Sequence, residues 1–69
     1  METVYVDVSM YEVPYMYEVM SGDLASRLGF DSMNFKADLG VLEVRAPRHI
    51  IMNGAIRALE NMIVPTLYF

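Results

Sequence analysis

The feature that most constrains this chain is the way its apolar spacing changes period along its length. Residues 3–10, TVYVDVSM, alternate strictly. Val4, Val6, Val8 and Met10 point one way and Tyr5, Asp7 and Ser9 the other, which is the pattern of a half-buried strand. Residues 11–30, YEVPYMYEVMSGDLASRLGF, step instead by three and four, placing Val13, Met16, Tyr17, Met20, Leu24 and Leu28 on one helical stripe. Pro14 suits a first turn, where its missing N–H is not needed. Gly29 before Phe30 has the form of a C′ glycine followed by its apolar contact. Ser21-Gly22-Asp23 interrupts the stripe. Gly22 costs about 1 kcal/mol against Ala inside a helix, and Ser21 could cap a second short helix running to Leu28, so a kink or break is predicted there.

The period then returns to two. Met33, Phe35 and Ala37 alternate with Asn34, Lys36 and Asp38, and Leu42, Val44 and Ala46 with Glu43 and Arg45. Asp38-Leu39-Gly40 between them predicts a hairpin turn, with Gly40 suited to a positive φ and a bulge. Glu43 and Arg45 share a solvent face with Lys36 and Asp38, where charges could pair across strands. The last periodic stretch, residues 46–63, reads as one helix beginning at Pro47 and ending before Pro65. Ala46 would be its N-cap, a poor one, so tertiary packing must hold that end. Residues 64–69, VPTLYF, follow as an uncharged apolar tail.

Strand, helix, strand, strand, helix is the order of a small α+β domain. A helix joining two strands usually crosses over between parallel strands. The third strand then fits between the first and second, antiparallel to both, with both helices on one face in a two-layer sandwich. The other sheet face carries Tyr5, Asp7, Ser9, Asn34, Lys36, Glu43 and Arg45, polar enough to stay wet.

Size makes that fold short of internal support. A single domain of 69 residues hides only about 60% of the surface its unfolded chain exposes, which leaves it marginal without a staple or a partner. With no cysteine there is neither a disulfide nor a thiolate metal site. Hydrophobic residues at 55% against 20% charged exclude disorder. The apolar runs are too short to span a membrane, and residues 1–8 lack the basic and apolar regions of a signal peptide, so a cytoplasmic location is expected. A net charge of −4 argues against a protein that holds nucleic acid on its own.

The last helix is more apolar than such a fold needs. At 100° per residue, Ala58, Ile51, Met62, Ala55, Leu59, Met52, Ile63 and Ile56 fill an arc of roughly 160°, where a helix on a sheet needs little over 100°. Either the helices and the tail bury one another, or the helical layer is a subunit interface. Seven methionines and five tyrosines favour the interface. Its expected centre is Met52, Ile56, Leu59 and Ile63, with Met20 and Leu24 of the first helix beside them.

No catalytic set accompanies this surface. His49, the one histidine, has no carboxylate companion on its side of the sheet. Serines 9, 21, 26 and 32 lack a nucleophile-elbow setting, and Ser21-Gly22-Asp23 is too glycine-poor for a phosphate loop. Glu12, Glu18 and Asp23 do not share a helical face as paired carboxylates would. No enzyme, cofactor or metal is expected. Arg45, Arg48 and His49, with Arg57, could touch a phosphate as one patch of a larger assembly.

The element order and residues 40–63, GVLEVRAPRHIIMNGAIRALENMI, resemble the small Pcc subunits of the KEOPS complex, which makes threonylcarbamoyladenosine in transfer RNA. In that family the last strand runs directly into a helix rich in alanine and leucine-type spacing. The family helix usually carries an arginine before its small residues and an Asn-Ser pair after them. This chain has Asn53 before Gly54-Ala55 and Arg57-Ala58 after, which would suit a divergent paralogue pairing with the usual subunit. The resemblance implies an archaeal or eukaryotic source and a non-catalytic dimerisation subunit. Its partners would be itself or a paralogue and a catalytic subunit, with transfer RNA met only indirectly. The competing expectations are a self-associating α+β protein of another family and a small RNA-binding module.

Overall fold

The computed structural model describes residues 1–63. The expectations for the tail, residues 64–69, lie outside the described residues. In chain order come β1 (Glu2–Asp7), α1 (Val13–Met20), α2 (Leu24–Leu28), β2 (Ser32–Lys36), β3 (Val41–Ala46), α3 (Arg48–Met52) and α4 (Ala55–Ile63). The sheet order is β1-β3-β2, and β3 is antiparallel to both neighbours. The α+β topology is therefore the expected one.

Register follows the alternation. Val4 faces Val44 and Val6 faces Leu42 across β1 and β3, while Met33 and Phe35 of β2 meet Val44 and Leu42 from the other side. Val6, Val8, Leu42, Val44 and Ala46 join Met16 of α1, Phe30, and Leu59 and Ile63 of α4 in one buried cluster. Among the described residues no buried side-chain nitrogen or oxygen lacks a hydrogen-bond partner. Glu43 lies opposite Tyr5 and Asn34 rather than Lys36, and its carboxylate accepts the Tyr5 hydroxyl at 3.2 Å.

The strand period stops earlier than the sequence suggests. The Asp7 carboxylate accepts the Ser9 N–H at 2.9 Å and the Ser9 hydroxyl at 2.7 Å, and Tyr11 N–H reaches the Val8 carbonyl at 3.0 Å. That turn, with an Asp bonding two residues ahead, carries Met10 out of the core line and leaves it exposed. The hairpin turn forms as expected. Gly40 takes φ 67°, and its N–H bonds the Lys36 carbonyl at 2.9 Å.

The first helical stretch breaks where Ser21-Gly22-Asp23 predicts, separating α1 from α2. Phe30 N–H then reaches back to the Ala25 carbonyl at 2.8 Å across a left-handed Gly29, closing α2 as expected. The stripe is rotated from its expected line. Val13 and Tyr17 are exposed, whereas Tyr15 is half-buried and donates its hydroxyl to the Ile63 carbonyl at 2.6 Å. That bond ties α1 to α4.

The final helix departs most from expectation. It is two helices, divided at Asn53-Gly54, and Gly54 takes φ 87°. A residue in the left-handed region cannot continue a right-handed helix, and only glycine enters that region without cost. Pro47 is the N-cap of α3 rather than its first residue, and its carbonyl accepts Ile50 N–H at 3.0 Å.

Candidate interaction surface

The break at Gly54 undoes the single wide arc, because Met52 and the residues after 54 belong to different helices. Leu59 is 0% exposed and Ile63 is also in the core, so the described chain itself encloses these two. Ile56, Met20 and Leu24 are half-buried against the same cluster. Of the six residues expected at the contact, Met52 alone is open to a partner, at 72% exposure.

Another opening lies where the turns at one end of the sheet meet α1. There the turn after β1, the start of α1 and the β2–β3 turn enclose a groove of about 290 Å³. Val13 and Leu39 line it, 42% and 68% exposed, with Phe35 and Tyr11 between them. Tyr17, 59% exposed, meets Phe35 edge-on with ring centroids 5.4 Å apart. Tyr11, which lines the groove, packs with Tyr15 as a tilted pair at 5.7 Å. Leu39 was the readable signal: a large apolar side chain sits where a turn normally places a polar one. Val13 and Tyr17 were hidden by being counted as core.

The polar candidates stay apart from this groove. His49, Arg48 and Arg57 are exposed on α3 and α4, and Arg45 is exposed on β3 opposite Thr3 and Ser32. Among the described residues no three of His, Cys, Asp or Glu are placed to hold a metal ion. Two serines are engaged in turns, Ser9 with Asp7 and Ser21 with the Glu18 carbonyl at 2.6 Å. The pKa of the Asp7 carboxyl is lowered from its ordinary value. The Ser9 hydroxyl, and then the Ser9 N–H, hold it below the usual carboxylate range.

Comparison with known families, curated proteins and solved structures returns no match. Among the described residues no helix is long and apolar enough to cross a membrane. What the geometry offers is contact chemistry. An open groove lined by Val13, Phe35 and Leu39 together with Ser9 and Asp38 adjoins the Tyr11–Tyr15 pair.

Proposed function

We propose that this chain is a non-catalytic accessory subunit, which pairs with a second subunit and helps to hold a catalytic partner. The observation that carries the reading is the groove lined by Val13, Phe35 and Leu39, with exposed Tyr17 packed against Phe35. Two exposed large apolar side chains at one opening, Val13 and Leu39, with Tyr17 exposed beside Phe35, mark an interaction site more often than a chance surface. The local pattern of residues 40–63 supports the KEOPS complex as the assembly, with a cytoplasmic site of action. In that setting Arg45, Arg48 and Arg57 would supply whatever phosphate contact the subunit makes, and the contact would weaken steeply with salt.

The experiment is reconstitution of adenosine modification with and without this chain. Omission should lower the rate, while His49→Ala, with assembly intact, should leave it unchanged. Tyr17→Asp and Leu39→Asp alter exposed positions, so the fold should survive. Partner affinity should fall by about tenfold or more, equivalent to roughly 1.4 kcal/mol. A rate indifferent to the chain would refute the accessory role, and a rate abolished by His49→Ala with assembly intact would give the histidine a direct part in the reaction or in binding its substrate. Full affinity in both aspartate variants would move the contact elsewhere.

A further inference from the structure

We propose that Asn53-Gly54, at the break between α3 and α4, is a self-modifying site. The main chain attacks the Asn53 side chain there, releases ammonia and leaves aspartate or isoaspartate. The substrate is the chain's own amide and the co-reactant is water.

In the first step the Gly54 nitrogen gives up its proton and bonds to Cγ of Asn53. The bond between Cγ and the side-chain nitrogen breaks, and that nitrogen leaves with the proton as ammonia. A cyclic imide then joins side chain to main chain. Water opens it at either carbonyl. Opening at Cγ restores the main chain with aspartate at 53. Opening at the main-chain carbon routes the backbone through the side chain, which is isoaspartate, and lengthens it by one carbon. Nothing is oxidised or reduced.

The break suits this attack. The attacking nitrogen belongs to a glycine, and a Cβ built at Gly54 would meet nothing within 4 Å. Asn53 and Gly54 are both exposed. Asn53 stands at ψ 13°, so the peptide that follows it must turn before the nitrogen can reach Cγ. Among the described residues one backbone bond ties that peptide, Gly54 N–H to the Ile51 carbonyl at 3.2 Å. It closes the end of a five-residue helix, and exposed helix ends open at low cost. Gly54, at φ 87°, can take up the compensating rotation because glycine enters either half of the backbone map freely.

The other two asparagines show what is special here. Asn34 and Asn61 are exposed as well, so exposure does not set Asn53 apart. Asn34 lies within β2, paired with Glu43 and followed by Phe35. Asn61 lies within α4 and is followed by Met62. In both places a large side chain flanks the attacking nitrogen and regular structure resists the turn.

The product changes the surface more than the core. A new carboxylate stands between Arg48 and Arg57 in the chain and takes the net charge one unit below −4. Leu59 and Ile63 still anchor α4 in the core, so the fold should survive.

The test is to incubate the full folded chain in warm, mildly alkaline heavy-oxygen water, digest it at lysine and arginine, and weigh the fragments. The fragment of residues 49–57 contains Asn53 alone of the three asparagines. It should lose ammonia and gain heavy oxygen first, and should separate into aspartate and isoaspartate forms. Gly54→Ala is less stable because alanine resists the left-handed region. It should nevertheless react about tenfold more slowly, about 1.4 kcal/mol in the barrier, since the new methyl crowds the nitrogen. Faster reaction in that variant would place the chemistry in the unfolded chain and overturn the proposal. So would an Asn53 that outlasts Asn34 or Asn61. Aspartate without isoaspartate would mean direct hydrolysis and would overturn the attack by Gly54.

Discussion

At the scale of single residues, Asp7 ends the first strand and sets the turn that follows it. The Ser9 hydroxyl and N–H both donate to its carboxylate and hold its pKa below 3.8, the ordinary value. A carboxyl whose folded pKa is depressed contributes stability that is present above the unfolded value. That stability is lost as pH falls through the folded one. Stability should therefore decline as the solution is acidified below about pH 4, and Asp7→Asn should flatten that part of the profile. Chemical denaturation of both proteins at a series of acidic pH values measures the difference. Ser9→Ala should act in the same direction, since it removes the larger of the two stabilising bonds. The same turn explains why Met10 misleads a reader of the sequence. Alternation is a property of extended backbone, and the Asp7 carboxylate ends the extension two residues before the apolar pattern does.

At the scale of elements, left-handed glycines set the two boundaries that matter most here. Gly40 lies in the hairpin turn, where an added Cβ would come within 2.9 Å of the Ser9 Cβ and 3.2 Å of its Cα. Gly54 separates α3 from α4, and a Cβ there would meet nothing within 4 Å. Gly54→Ala should therefore cost only the left-handed penalty, about 1–2 kcal/mol. Gly40→Ala should cost at least about 1 kcal/mol more, since it drives a methyl into backbone. Denaturation midpoints of the two variants test the contrast. Local signals made much of this level legible. Ser21-Gly22-Asp23 announced the first helical break, Gly29-Phe30 the cap and Asp38-Leu39-Gly40 the turn. Asn53-Gly54 carried a comparable signal but was overridden by the apolar spacing on both sides, which continues across the break as though the helix did. Consequently the sequence placed Met52, Ile56, Leu59 and Ile63 on one surface, whereas the structure assigns Leu59 and Ile63 to the core and Met52 to the exterior. The groove was illegible for a related reason. Val13 and Tyr17 match the core spacing, and only the docking angle of α1 decides that they face outward.

At the scale of the whole molecule, the described residues of this 69-residue chain include nine buried core side chains and leave Val13, Tyr17, Leu39 and Met52 exposed. That division is common in proteins completed by a partner. The strand order has a further consequence, for the route by which the chain folds. β2 and β3 are joined by four turn residues and can pair early, whereas β1 must find β3 from far away in sequence, Tyr5 and Glu43 being 38 positions apart. Closing that loop costs entropy before any contact repays it. The rate-limiting ensemble should thus contain the β2–β3 hairpin with β1 still loose. Val6→Ala, a truncation at a buried β1 position, should speed unfolding and leave the folding rate nearly unchanged. Phe35→Leu in the hairpin should slow folding. Chevron plots of the two would give a φ-value near zero for the first and a clearly larger one for the second. Equal φ-values would mean that the first strand docks as early as the hairpin closes. If β1 docks last, the state that precedes it bares the full length of β3 along one side, and this short-lived species is the one in which the chain is most open to strand exchange with a neighbour.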